Sequence, residues 1–482
     1  MTPEQQRLQQ ETRRHFFSRI GVSVGQVALA EMLAGGKLFS AEPKSANPMA
    51  PHAPHFEPKV KSVIFLHMAG GPSQLDMFDY KPKLNEYDSK PIPQSFIEGK
   101  RFAFMDTVGA APMTVLGTKR EFKRYGRSGM WLSNLLPNIS TIADDITLVN
   151  GISTENFNHG PAKFFMNTGS TRPGRPSMGS WVTYGIGSES QDLPGFVVLL
   201  SGPRGPRGGA GLWSSGFIPT AYQGVTFRSG GDPILDLSNP EGVTQRTQRQ
   251  TIDAIRDLNV ATLAETGDSE ISTRISAYEM AYKMQTSGPE LIDFSKESKA
   301  TLEMYGAEPG KATYANNCLL ARRLVERGVR FVQLYHTEWD HHDDITTPLD
   351  QACKETDGPT AALIKDLKQR GLLDSTLVVW GGEFGRTPMA EKRPTAGGRM
   401  GRNHHIEAYS MFFAGGGVAR GAVIGGTDDF GYRATERIHV HDIQATMLHL
   451  LGLDHTRLTF KFQGRNFRLT DVAGNPIKAM LT

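Results

Sequence analysis

The chain has 482 residues, and its 53 Lys+Arg against 50 Asp+Glu leave a formal charge of +3. That near balance excludes a dedicated nucleic-acid binder, whose affinity rests on neutralising phosphates. Hydrophobic residues at 38% and charged residues at 21% exclude wholesale disorder, and the length suits one large domain or a few ordinary ones.

The N-terminal segment reads as an address. Arg13-Arg14 precede Phe16-Phe17, and a moderately apolar run follows from Ile20 to Leu33. This pattern predicts a twin-arginine export signal, with small residues near Ala41 or Ala46 suited to cleavage. The alternative is an amphipathic surface helix after a basic turn. The run is interrupted by Gln26 and Glu31, too short and polar to span a bilayer. Residues 1–45 are therefore expected to be signal and spacer, with a mature protein in the periplasm or at the cell surface that carries no integral membrane segment.

Beyond the spacer, short apolar runs alternate with helical patterns. The runs are 61–67, 146–151, 196–201, 329–336, 376–383 and 409–415. Near-continuous apolar runs of this length predict strands buried on both faces, as in parallel sheets covered by helices. Helical spacing appears at Ile252, Ile255 and Leu258, at Ile271, Ile275 and Tyr278, and over 317–328, 358–371 and 442–451, with Asp442 as the expected N-cap of the last. Residues 46–482 thus read as a single α/β domain. Its stretch from about 202 to 306, Gly-rich and then helical, reads as an insertion or cap.

Polar residues collect where these runs end, and open α/β sheets bind ligands at the carboxyl ends of their strands. His67 closes the first run, Glu383 the fifth, and His404 precedes the last. The segment 335–344 holds three of the 14 histidines, His336, His341 and His342, beside Asp340. Imidazole with carboxylate suits Zn²⁺, Mn²⁺ or Fe, and no thiol lies nearby. A solvated, merely soluble loop is the competing reading of that segment. Cys318 and Cys353 are too few for a disulfide framework or a cysteine zinc site, and they read as buried apolar residues. Gly174–Gly179 lacks the nucleophile-elbow pattern, and the glycines at 415–417 match no phosphate-binding loop. Arg204 and Arg207 are either anion contacts or exposed loop residues.

The segments Gly70–Asp79, Pro176–Trp181, Trp339–His342, Glu383–Pro388 and Phe462–Arg465 resemble the alkaline phosphatase and sulfatase superfamily. Within it the chain is most similar to an uncharacterised sulfatase-like domain family, numbered fifteen hundred and one, over residues 60–481. The resemblance implies an alkaline-phosphatase-like three-layer α/β sandwich with a mainly parallel central sheet flanked by helices. It implies one or two divalent ions (Zn²⁺, Mn²⁺, Ca²⁺ or Fe) held by Asp340, His341 or His342, His404 (less so His405), Glu383 and His67. Here His67 stands where the superfamily has an aspartate, and Glu383-Phe384-Gly385 stands where it has Asp-His-Gly.

The nucleophile position departs from the family pattern. Counting ten residues back from Gly169 of the Thr168-Gly169 pair gives His159, where relatives carry Ser, Thr or a modified Cys. Lys163 falls where sulfatases carry an arginine. His159 is then nucleophile, base or ligand, and Thr154 and Asn156 need a shift in register to serve. Lys163 and Arg386 are expected to offset charge on the transferring group. The implied activity is hydrolysis of phosphate or sulfate esters on an anionic small molecule or polysaccharide. The alternative is an exported binding or scaffold protein that kept the fold without catalysis.

Overall fold

A computed structural model describes residues 47–98, 113–230, 232–234, 239, 241–391 and 397–482. The expected export signal lies outside the described residues. Every apolar run of the sequence is a strand, and the strands form one mainly parallel sheet. In chain order the sheet strands are β1 (Ser62–Met68), β2 (Ile146–Ser153), β3 (Phe196–Ser201), β4 (Val225–Phe227), β5 (Phe331–His336) and β6 (Thr376–Gly381). A hairpin of β7 (Gly385–Glu391) and β8 (Gly401–His405) follows, and then β9 (Tyr409–Ala414), β10 (Val423–Ile424) and β11 (Ile438–His439) rejoin the sheet.

Among the described residues the order is β10-β2-β9-β6-β1-β5-β3-β4, with β11 also pairing β2. β9 runs antiparallel to both β2 and β6, and the other pairs are parallel. The register sets the site. His67 lies opposite Tyr335 on one side and Gly381 on the other, so β1, β5 and β6 finish at one edge.

Both faces of the sheet are covered, as continuous apolar strands require. Alternate residues of β1 point opposite ways. Ile64 and Leu66 pack with Leu319 of α5 (Tyr314–Glu326) and Leu363 of α6 (Thr347–Gln369). Val63 and Phe65 pack with Met166 of α1 (His159–Thr168), Trp181 of α2 (Met178–Ile186) and Leu448 of α7 (Val440–Leu450). Each such side chain, fully buried, contributes about 1.5–3 kcal/mol relative to leaving it exposed. The result is a three-layer α/β sandwich.

The stretch from 202 to 306 is irregular first and helical later. It adds the short strand β4 at the sheet edge, then α3 (Gln245–Thr266) and α4 (Ser269–Ile292), which pair with each other. Cys318 and Cys353 are buried free thiols. No helix among the described residues is long and apolar enough to cross a membrane.

Three details differ from the sequence expectation. The fifth run ends at Gly381, leaving Glu383 in the turn beyond the strand rather than within it. The fourth begins at Phe331, after Val329 and Arg330. Asp442 is not the N-cap of α7. That position is His439, and Asp442 sits three residues into the helix with its carboxylate accepting from the His439 N–H at 2.8 Å. A capping box looks like a simple cap in sequence, because its acid also lies in the first turn.

Candidate metal centre

Four stretches far apart in the chain meet at the carboxyl edge of the sheet. β5 runs into the loop carrying Asp340 and His342. β2 leads through Thr154–Asn158 to His159, the first residue of α1. The turn after β6 carries Glu383. β8 carries His404, and a register shift between Arg402 and His404 breaks its ladder with β7; such irregularities re-aim side chains next to functional sites.

The side-chain nitrogens converge on one carboxylate. His159 Nε2 lies 2.9 Å from Asp340 Oδ2, His342 Nε2 lies 2.8 Å from Oδ1, and His404 Nε2 lies 3.2 Å from Oδ1. One ligand atom from each of the four residues falls within 4.8 Å of all the others. The two nitrogens His342 Nε2 and His404 Nε2 stand only 2.8 Å apart.

The far nitrogen of each ring is also held. His159 Nδ1 is 2.9 Å from Glu383 Oε1, His342 Nδ1 is 2.5 Å from Glu391 Oε2, and His404 Nδ1 is 2.6 Å from the Phe157 carbonyl oxygen. A carbonyl or carboxylate oxygen can only accept, so each Nδ1 carries a proton, and in the neutral ring each Nε2 has a lone pair to offer an ion. The neutral-ring lone pairs of His342 and His404 would repel at 2.8 Å, which a cation at the centre relieves. Burial works against charge on His159, but its bonds to Asp340 and Glu383 raise its pKa. Burial pushes the His404 imidazole down to about 3 against the pull of Asp340, with the charge of Arg386 adding to the fall. The ring is therefore neutral at neutral pH, as a ligand must be. Burial opposes ionisation of Asp340, but its contacts with His159, His342 and His404 hold its carboxyl well below the usual range. Three imidazoles and one carboxylate fit a borderline divalent ion such as Zn²⁺.

Glu383 faces away from this centre. It is fully buried, and its oxygens receive His159 Nδ1, Lys163 Nζ at 3.0 Å, the Gly70 N–H at 3.1 and 3.2 Å, and His67 Nε2 at 3.4 Å. Burial alone would raise its pKa. The charge of Lys163 and the hydrogen bonds of His159 and His67 overturn that and hold it well below the ordinary value. Its position makes it the orienter of His159, with Lys163 as its counter-charge.

The remaining expected residues are placed as follows. His67 is buried against Glu383 and outside the four-residue cluster, and burial lowers its pKa. His341 turns its Nε2 to the Glu338 carbonyl at 2.9 Å, and burial with the charge of Arg386 pushes it to about 4. His405 bonds the Tyr432 carbonyl instead. Arg386 is fully buried: Nη2 meets Asp340 Oδ1 at 2.7 Å, Nε donates to the Gly71 carbonyl and Nη1 to the Arg402 carbonyl. It binds the same Asp340 oxygen that His342 and His404 approach. Asn156 Oδ1 accepts from the Asn158 N–H at 2.8 Å in the turn before α1. His336 is bound to Glu355 and receives the Trp339 indole N–H.

Glu391 and the Phe157 carbonyl, which fix two of the rings, carry no signal in the sequence. Glu391 is one acid near the end of a strand, and any residue supplies a carbonyl.

The family profile described as "Protein of unknown function (DUF1501)" matches residues 60–481. The chain belongs to that family. No curated protein matches the chain. Among solved structures the chain is similar to the lipoteichoic acid synthase LtaP from Listeria monocytogenes, at 10% identity over 91% of this chain and 81% of that one, with a TM-score of 0.36. It is similar to the PsFucS1 sulfatase from Pseudoalteromonas sp., at 14% identity over 82% and 68%, TM-score 0.35. It is also similar to the alkaline phosphatase of the Antarctic bacterium TAB5, at 9% identity over 82% and 99%, TM-score 0.34. Likeness of this degree leaves the chemistry of the site to its own residues.

In this family member, His342→Ala and His404→Ala each strip a divalent ion while the fold is kept, read by elemental analysis alongside circular dichroism. Glu391→Gln keeps all four ligands but weakens Zn²⁺ binding by about 10–100-fold in chelator competition, the usual effect of losing a histidine's back-side partner. Full occupancy in both alanine variants would refute the ligand assignment.

Proposed function

We propose that this chain is a metal-dependent hydrolase of phosphate or sulfate esters, exported by the twin-arginine route to the periplasm or cell surface. The observation that carries the reading is the pre-oriented cluster of His159, Asp340, His342 and His404, of which His159 and Asp340 line an open cleft. Its kinship with the alkaline phosphatase and sulfatase superfamily is part of the same proposal, supported by the motifs at Gly70–Asp79 and Glu383–Pro388.

The four residues would hold one divalent ion, which when bound supplies Lewis-acid polarisation of an ester oxygen and of water. The protein's own groups do the rest. Glu383, Glu391 and the Phe157 carbonyl fix which ring nitrogen faces the centre. Arg386 keeps Asp340 ionised and pointed inward. Lys163 lines the same cleft, but its charge is matched by Glu383, so it steadies the group that orients His159. His159 is committed at both nitrogens, to Asp340 and to Glu383. That assigns it to holding the ion and leaves the attacking oxygen to come from water. No hydroxyl or thiol of this chain is then needed as nucleophile.

Purified protein reconstituted with Zn²⁺ or Mn²⁺ should turn over an aryl phosphate or an aryl sulfate, with His342→Ala lowering the rate by about 10²-fold or more. Stoichiometric metal without turnover of either ester would sink the hydrolase reading and favour the non-catalytic exported protein. Export has its own test. Residues 1–45 fused to a reporter should deliver it to the periplasm, and replacing Arg13 and Arg14 by lysine should hold it in the cytoplasm. Delivery unaffected by that change would rule out the twin-arginine route.

A further inference from the structure

One wall of the cleft is the Gly-rich segment that follows β3, and it is pinned rather than free. At its start Gly202 adopts φ +97°, and a side chain there would strike the Thr337 hydroxyl. The same hydroxyl donates to the Arg204 carbonyl at 3.1 Å. The Arg204 guanidinium meets Glu338 at 2.8 and 3.4 Å. Glu338 itself sits at φ +74°, a conformation uncommon for a residue with a side chain. At the far end Leu212 and Trp213 are buried in the core. The loop is therefore fastened at both ends, to the segment that carries Asp340 and to the interior.

Three cationic side chains of this chain line the cleft beside His159 and Asp340: Lys163, Arg204 and Arg207. Two are matched. Lys163 lies on Glu383 and Arg204 on Glu338. The Arg207 side chain has no hydrogen bond or ion pair among the described residues. A fixed loop thus presents an unmatched guanidinium on the wall of the cleft that His159 and Asp340 also line.

We infer that Arg207 is a specificity-determining residue that binds a second anionic group of the substrate, while the ester anion sits at the metal cluster. This deepens the ester-hydrolase reading and rests on it. The substrate class is an ester bearing a carboxylate, sulfate or phosphate in addition to the group cleaved, as a polyanionic saccharide does. A guanidinium suits this task because its planar fork pairs bidentately with such oxyanions. Its exposed position makes it a selector more than an anchor, and screening by salt weakens its effect.

The test uses two phosphonates, whose carbon–phosphorus bond resists ester hydrolysis: phenylphosphonate with one anionic group, and carboxyphenylphosphonate with two. Binding of each to the Zn²⁺-loaded full chain is read by calorimetry at low and high salt. The two-anion ligand should bind about fivefold tighter at low salt, the size expected of one partly solvated charge pair, with the preference shrinking as salt rises. Arg207→Gln should bring the ratio to about one, Arg207→Lys should retain part of it, and Arg246→Gln on helix α3, which does not line the cleft, should leave it intact. Equal affinities in the parent chain, a preference that survives Arg207→Gln, or no binding of either ligand would each overturn the assignment. Aryl ester turnover measured beside it separates the two proposals. Turnover without the preference rejects Arg207 alone, and the preference without turnover rejects the hydrolase reading while leaving the second anion site standing.

Discussion

Three imidazole Nε2 atoms converging on one carboxylate define this protein. As neutral rings, His342 Nε2 and His404 Nε2 at 2.8 Å would push apart. They stay because each ring is gripped from behind by an acceptor that dictates its tautomer: Glu383, Glu391 and the Phe157 carbonyl. Asp340 is gripped in turn by Arg386. A site built this way suits a cation at its centre.

The rest of the fold serves that convergence. The sheet register brings β1, β5 and β6 to a common edge. The β7–β8 hairpin then has to be carried over that edge so that His404 and Glu391 reach inward. Its support comes from the turn after β1. Gln74 exchanges two hydrogen bonds of 2.8 Å with the backbone of Arg386, and Asp76 binds the fully buried Arg402 at 2.8 and 3.3 Å. Burying two guanidiniums is tolerable only when each is fully paired, and both are. The close approach of Gly70 to Trp339 and Asp340, where a Cβ would fall 2.7 Å from backbone atoms, shows how tightly this turn is clamped to the metal loop.

The strands and the layers were legible because continuous apolar runs leave few alternatives. The loop that carries Asp340 and His342 stood out as well, since a local excess of histidine beside Asp340 is a compositional signal. Choosing among neighbours was harder. His341 and His342 are adjacent and chemically identical, and only the turn of the loop sends one to the Glu338 carbonyl and the other to Asp340. The same holds for His404 and His405, which alternate across β8. Glu383 and His67 stand at strand ends as ligands do, yet Lys163 and Gly70 occupy the carboxylate that would have reached an ion. Arg386 and Lys163 show the reverse problem: a cation near an anion site can face the substrate or hold the scaffold, and its charge is the same in either place. The Gly70–Asp79 segment, read as a motif, turns out to spend Gln74 and Asp76 on carrying a hairpin, a role that spacing alone does not reveal.

The most direct measurement is a crystal structure of the chain grown with Zn²⁺, with anomalous scattering recorded on both sides of the zinc absorption edge. The account requires one strong zinc peak in contact with His159 Nε2, His342 Nε2, His404 Nε2 and the Asp340 carboxylate, with Glu383 still bound to Lys163. No peak there, or a zinc ion seated instead on His67, His341 and Glu383, would contradict it.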